Sequence, residues 1–269
     1  MVVFLERPLE RPAETAPSAT APSRLLLAVE VFVLLGLSLG KAAADAIAGF
    51  YTDQTGGAPG TARGAVLYAS EAPGRPLLDL VRQLMDLGFA ALPVALAAYL
   101  LVRSGDGVRG PWFGGRLRLS DVALGALTAV AVAAVGLPFY LANHATTGAT
   151  VVPETLPDVW WRIPVLVLAA FQNGLLEECV LLGFVFVRLR QLGFAAPATI
   201  GVLAVVRGSY HLYQGIGGAL GNLVMGVLFG WLYHRWGRVT PLVIAHTLID
   251  IGAYLGFLLL AGRVSWVPA

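Results

Sequence analysis

Length and composition exclude a soluble globular protein. The 269-residue chain is 57% hydrophobic and 13% charged, with a mean hydropathy of +0.76. Soluble domains carry roughly 45–50% apolar and about 25% charged residues, so this apolar excess cannot be buried in one soluble core. The net charge of +2 gives no indication of a nucleic-acid partner. The single cysteine, Cys179, excludes an intramolecular disulfide.

The elements in chain order predict an all-α polytopic membrane protein. Residues 1–24 mix Pro, Ala, Thr, Ser and Glu and predict a flexible tail, whereas residues 25–266 predict a single membrane domain. Because about 20 mostly apolar residues form a transmembrane helix, we expect a bundle of about seven helices, with a range of six to eight. The predicted segments are 25–48, 76–102, 120–142, 162–187, 197–214, 219–234 and 240–262.

The fifth and sixth segments are short, and glycines join them. Gly215, Gly217 and Gly218 predict a tight turn or a broken helix between the two segments. Irregular backbone at membrane depth is tolerated only where it is buried in protein or lines a water-filled cavity. The joint therefore indicates a position close to such a cavity.

Arginine placement predicts the orientation of the chain. If the segments alternate, three arginine-bearing connections fall on one side, and the positive-inside rule places that side in the cytoplasm together with the N-terminus. A single lysine among eighteen basic residues, with abundant Ala and Gly, is typical of a bacterial plasma-membrane protein from a GC-rich genome. The arginines are Arg103, Arg109, Arg116, Arg118, Arg188, Arg190, Arg235 and Arg238.

Two adjacent carboxylates lie in the middle of the fourth segment. Glu177 and Glu178 have apolar residues on both sides, and a charge at membrane depth costs roughly 2.5–3.5 kcal/mol, so it usually marks a function. Neighbouring helical residues point about 100° apart, so one glutamate can face a cavity while the other faces a helix. Asn173, one turn before Glu177, is the expected supporting partner. A purely structural buried pair is the alternative.

The fifth and last segments supply histidines at a similar depth. Arg207 and His211 are four residues apart, as are His246 and Asp250, so each pair shares a helix face. At 1.5 Å per residue, Glu177 lies roughly 16 Å from the arginine side, His211 roughly 18 Å, His246 roughly 9 Å and Asp250 roughly 15 Å. These depths fall within about 9 Å of one another, less than two helical turns, which predicts one shared site.

These motifs resemble a known family. A Glu-Glu-x-x-x-Arg motif, a Phe-x-x-x-His motif and a His-x-x-x-Asn motif on three transmembrane helices are the pattern of the CPBP intramembrane proteases. That family includes CAAX prenyl endopeptidases and bacteriocin-processing (Abi) proteins. The chain matches it at Glu177-Glu178, His211 and His246, over about 160–255. The resemblance implies an intramembrane endopeptidase whose partners are the lipid bilayer and a membrane-associated peptide or protein substrate.

The resemblance also implies a role for each matched residue. Glu177 would be the general base, and His211 would help to position the attacking water. His246 and Asp250 would lie near the developing oxyanion, where fixed donors supply much of the barrier reduction.

The chain departs from the family pattern at three positions. Leu182 stands where the family has arginine, Arg207 where it has phenylalanine, and Asp250 where it has asparagine. We hypothesise that Arg207 replaces the missing arginine as the partner of Glu178. An ionised aspartate cannot donate a hydrogen bond, so Asp250 instead holds His246 protonated, or the chain is an inactive member of the family.

Metal dependence and other functions stay open on the sequence alone. Glu177, His211 and His246 form a plausible zinc set, but the His-Glu-x-x-His motif is absent, so we expect no cofactor and keep zinc as the alternative. A serine protease using Ser209 and His246 is a weaker interpretation. A small-solute transporter would use similar midplane charges but usually shows internal repeats. A non-catalytic immunity or scaffold protein would share the fold.

Overall fold

A computed structural model describes residues 23–56, 65–108, 112, 117–148 and 151–264. Six of its helical spans are long and apolar enough to cross a membrane, which confirms the predicted all-α polytopic bundle. Most of the predicted tail, residues 1–22, lies outside the described residues, as do Arg109, Arg116 and the end of the predicted membrane domain, residues 265–266. The helices are α1 (Arg24–Leu35), α2 (Lys41–Gly56), α3 (Pro76–Arg103), α4 (Leu119–Thr147), α5 (Arg162–Glu178), α6 (Val187–Gln191), α7 (Ala196–Tyr210), α8 (Gly215–Trp236) and α9 (Thr240–Leu260).

Two of the membrane spans contain a π-helical stretch. Gly36–Gly40 joins α1 to α2, and Cys179–Phe186 joins α5 to α6, so each pair forms one continuous rod. The second stretch is buried along its whole length and begins directly after Glu178. Stretches of π-helix are frequent at functional sites because they shift the direction of the following side chains.

The predicted break in the fifth and sixth segments is present but shorter than expected. Helix α7 ends at Tyr210, a 3₁₀ turn covers Leu212–Gln214, and α8 begins at Gly215, whose φ of +84° favours glycine. Gly217 and Gly218 belong to the helix and not to the joint. Their role is close packing, since a Cβ at either position would overlap a neighbouring side chain.

The arginine-bearing connections lie together at one end of the bundle. The Arg188 guanidinium donates to Asp106 at 2.6 Å, and Arg238 forms an ion pair with Asp121. The first contact joins α6 to the connection after α3, and the second joins the connection after α8 to the start of α4. We call this the arginine end, and it consists of Arg24, 104–108, 117–118, 188–195 and 235–240.

The opposite end carries a small parallel sheet that the all-α expectation did not include. Strand β1 (Ala65–Tyr68) pairs with β2 (Val151–Glu154) in the register Ala65↔Val151 and Tyr68↔Glu154. Parallel pairing needs a long crossover, and here the α3–α4 hairpin supplies it. We call this the strand end.

The largest apolar cluster fills the bundle on the arginine side of the membrane midplane. Phe184, Phe229, Leu101 and Leu242 are each fully buried there. A second, smaller cluster around Trp161 and Tyr254 supports the strand end. The buried core is therefore concentrated in one half of the bundle.

Candidate functional site

Three helices bring the predicted site residues together. Helix α5 ends with Glu177 and Glu178, the last turn of α7 carries Arg207 and Tyr210 with His211 directly after it, and α9 carries His246 and Asp250. Close packing of α5 against α9 sets their separation, because Gly174 has no side chain where a Cβ would lie 3.0 Å from Thr247 Oγ1. Small residues at such crossings let the backbones of membrane helices approach.

Arg207 is the cation at the centre of the site. Its Nη2 donates to Glu177 Oε2 at 3.0 Å and also contacts Glu178 Oε1. The side chain is buried, and its guanidinium lies over the Phe229 ring at 5.3 Å from the centroid. One arginine from α7 therefore compensates two carboxylates from α5.

Glu178 joins α5 to both neighbouring helices. It has no exposed surface, and its Oε1 also lies 2.7 Å from His246 Nδ1. Because a carboxylate only accepts, the hydrogen of this bond is on His246 Nδ1. Among the described residues, Glu178 Oε2 has no hydrogen-bond partner. Glu178 thus fixes the orientation of His246 and Arg207.

Glu177 has different surroundings, as the angular offset between adjacent residues predicts. It lines a cavity, and its Oε2 accepts from the Tyr210 hydroxyl at 2.5 Å as well as from Arg207. No hydrogen bond in the described part of the chain involves Glu177 Oε1. The sequence reasoning missed Tyr210, although its position three residues after Arg207 on the same helix face was a usable signal.

His211 is held by the backbone of its own helix. Its Nδ1 lies 3.1 Å from the Arg207 carbonyl oxygen, and a carbonyl only accepts, so Nδ1 carries the hydrogen. The other nitrogen, Nε2, is then left with a free lone pair. His211 is 8% exposed and lines the same cavity as Glu177.

Asp250 lies near His246 but is bonded elsewhere. The distance from His246 Nε2 to Asp250 Oδ2 is 3.7 Å, too long for a hydrogen bond. Asn173 Nδ2 donates to that same Oδ2 at 2.9 Å. Asn173 was expected to support Glu177, but the structure places it against Asp250, because its side chain crosses from α5 to α9.

The cavity that these side chains share has a volume of about 580 Å³. Glu177, Tyr210, His211, His246 and Asp250 line it at mid-depth. Glu178 and Arg207 lie behind this surface, and Ser209 donates to the Val206 carbonyl at 2.7 Å without lining the cavity. One wall is almost bare backbone, formed by Gly217, Gly218 and Gly221 of α8.

The donor atoms that could surround a metal differ from the zinc set predicted from the sequence. Glu177, Glu178 and His246 each offer a ligand atom within 4.8 Å of the others, whereas His211 is not part of this group. However, Arg207 Nη2 contacts both carboxylates and lies 3.4 Å from His246 Nδ1. A metal ion between these donors would adjoin this guanidinium, which would repel it.

Fold and site together define the class of protein: an integral membrane protein with an acid and two imidazoles around a cavity. Residues 159–252, about a third of the chain, match the model of the family described as type II CAAX prenyl endopeptidase Rce1-like. The match contains Glu177, His211 and His246, confirms the resemblance to CAAX proteases, and supports an intramembrane protease at the level of the family. Comparisons with curated proteins and with solved structures give no match.

Proposed function

We propose that this protein is an intramembrane endopeptidase of the CPBP type, which hydrolyses a peptide bond of a membrane-associated peptide or protein. The observation that carries the proposal is that Glu177 and His211 line the same cavity. Glu177 Oε1 has no hydrogen-bond partner among the described residues. His211 carries its hydrogen on Nδ1, so its Nε2 is a hydrogen-bond acceptor. A water between two such acceptors is oriented for attack.

Glu177 is the general base of the proposed reaction. Glu177 accepts a proton from the water while the oxygen of that water attacks the carbonyl carbon of the peptide. Glu177 then gives this proton to the leaving amine as the C–N bond breaks. Arg207 and Tyr210 fix the carboxylate through Oε2, so Oε1 remains the basic oxygen.

His246 is our proposed oxyanion donor. With Nδ1 donating to Glu178, a proton on Nε2 would be directed at the negative oxygen of the tetrahedral intermediate. Asp250 lies 3.7 Å from that nitrogen and would balance the charge of the imidazolium. Such preorganised donors act strongly in a site that excludes bulk water.

A loss-of-cleavage comparison tests the proposal. Cells carrying the wild-type chain and cells carrying Glu177→Gln are compared by mass spectrometry of membrane peptides, with Glu71→Gln, an exposed glutamate at the strand end, as the matched control. We expect at least one membrane peptide that remains uncut in Glu177→Gln alone, although the variant accumulates normally. Identical peptide profiles for all three chains would refute proteolysis and favour a non-catalytic or transport role.

We also propose that the reaction needs no metal, because the Arg207 guanidinium already contacts both Glu177 and Glu178. Purified wild-type protein is expected to contain substoichiometric zinc and to keep its activity in a chelator. Stoichiometric zinc whose removal abolishes activity, with recovery on adding zinc back, would overturn this assignment.

A further inference from the structure

The cavity extends from mid-depth toward one end of the bundle. On α4, lining residues run from Val132 to Asn143, which at 1.5 Å per residue lie roughly 20 Å and 36 Å from Leu119 at the arginine end. On α8 they run from Gly217 to Met225, the half farthest from the arginine end. Both helices therefore place the cavity in the half nearer the strands.

The small sheet lines the part of the cavity that is farthest from the arginine end. Leu67 and Tyr68 of β1 and Val151 of β2 are among the lining residues. Among the residues that the structure describes, no lining position comes from the arginine end. The cavity thus extends to the strand end and not to the arginine end.

The other side of the site is closed by packed side chains. Phe229, Phe184 and Leu242 have at most trace exposure and belong to the apolar cluster on the arginine side. Arg207, which lies behind Glu177, rests on Phe229. Cores packed in this way contain few voids as large as a water molecule, so water and substrate reach Glu177 from the strand end.

We infer that the cavity opens to the extracytoplasmic face of the membrane and that its substrate is a polypeptide presented there. Short connections rich in arginine stay in the cytoplasm, and in this chain they lie at the end opposite the opening. The occupant is an exported or membrane-anchored peptide whose scissile bond lies in the outer half of the bilayer. The assignment of this occupant as a substrate rests on the proposed function, whereas the direction of the opening does not.

Single-cysteine labelling tests the direction. Cys179 is 1% exposed, and Cys179→Ala gives a cysteine-free full-length chain. Three single-cysteine variants follow: Gln214→Cys in the cavity, Arg75→Cys at the strand end outside it, and Arg190→Cys at the arginine end. A membrane-impermeant sulfonated maleimide is applied to intact bacterial cells and to permeabilised cells.

We expect Gln214→Cys and Arg75→Cys to be labelled in intact cells, and Arg190→Cys only after permeabilisation. Labelling of Arg190→Cys in intact cells without Arg75→Cys would overturn the orientation. Two results would overturn the proposed direction of the opening. In the first, Gln214→Cys is labelled on the same side as Arg190→Cys. In the second, Gln214→Cys stays unlabelled while Arg75→Cys reacts. Repeating the labelling in chains that also carry Glu177→Gln tests the direction of the opening independently of catalysis, because labelling requires no proteolysis.

Discussion

Arg207 Nη2 contacts Glu178 Oε1 inside the bundle, so a cation from α7 neutralises a carboxylate from α5. The same nitrogen also reaches Glu177. By resemblance, an arginine four residues after Glu178 could pair with it along the same helix, but Leu182 stands at that place. In this chain the partner of Glu178 comes from a second helix.

Exchanging the two positions tests this compensation. Arg207→Phe removes the guanidinium that contacts both buried carboxylates, and removing one partner of such a buried pair costs about 3–5 kcal/mol. We expect little folded protein from Arg207→Phe, and more protein and activity from Leu182→Arg combined with Arg207→Phe. Folded protein is measured by the reaction of a thiol-reactive dye with Cys179, which is buried until the chain unfolds.

Arg190→Phe is the control, because Arg190 is exposed at the arginine end and its loss should change stability by about 0.5 kcal/mol or less. The compensation idea fails if the double variant recovers no more protein and activity than Arg207→Phe alone.

Tyr210→Phe removes one hydroxyl and keeps the ring. The hydroxyl donates to the Glu177 carboxylate at 2.5 Å, and a hydrogen bond to a charged group contributes about 1.5–3 kcal/mol. We expect a loss of stability in this range and a fall in kcat larger than the change in KM, because the base is less firmly held. Kinetics on the peptide found in the Glu177→Gln comparison provide the measurement.

Tyr213→Phe is the matched control for Tyr210→Phe. Its hydroxyl lines the same cavity but accepts a hydrogen bond from Gln214 at 3.0 Å and contacts no site carboxylate in the described hydrogen bonds. Equal losses in the two variants would show that Tyr210 acts through general packing and not through Glu177.

Asp250→Asn restores the residue that the family pattern has at this position. The amide keeps an acceptor for Asn173 but removes the negative charge beside His246, so we expect activity below that of the wild type. Asp250→Ala, which also removes the partner of Asn173, should lose more activity. An asparagine variant as active as the wild type would show that His246 needs no negative charge beside it.

Gly174→Ala should separate α5 from α9 at the site. Its new Cβ would lie 3.0 Å from Thr247 Oγ1 and 3.1 Å from the Val243 carbonyl oxygen, and such overpacking typically costs about 1–3 kcal/mol. We expect lower thermal stability and lower activity, because His246 moves relative to Glu177.

Gly252→Ala provides the comparison within α9, since a Cβ added there would meet nothing within 4 Å. Both changes gain a similar helix propensity, about 1 kcal/mol, so the difference between them isolates the packing contribution. A Gly174→Ala protein as stable and active as Gly252→Ala would contradict this account of the helix crossing.

Hydrophobic length and residue spacing were sufficient to predict most of the scaffold. The second segment, predicted at 76–102, is observed as Pro76–Arg103, because its apolar run ends at charged or proline-marked boundaries. The convergence of Glu177, His211 and His246 on one cavity also followed from their order and depth.

The contacts between helices could not be predicted in the same way. The bonds from Tyr210 to Glu177 and from Glu178 to His246 depend on the rotation of α7 and α9 relative to α5, which spacing within one helix does not define. The parallel pairing of β1 with β2 joins short segments 86 residues apart at Ala65 and Val151, and neither has a long periodic pattern. Gly217 and Gly218 were wrongly assigned to the joint between two helices, because glycine is common both in turns and where helices pack closely.

The cavity wall formed by Gly217, Gly218 and Gly221 of α8 affects the shape of the cavity and contains none of its ionisable groups. At Gly217 and Gly218 a larger side chain would overlap a neighbour, whereas a Cβ at Gly221 meets Phe139 at an ordinary 3.5 Å. Under the proposed function, position 221 would set the size of the peptide side chain that the cavity accepts. A change there would leave Glu177, His211 and His246, the proposed reacting groups, as they are.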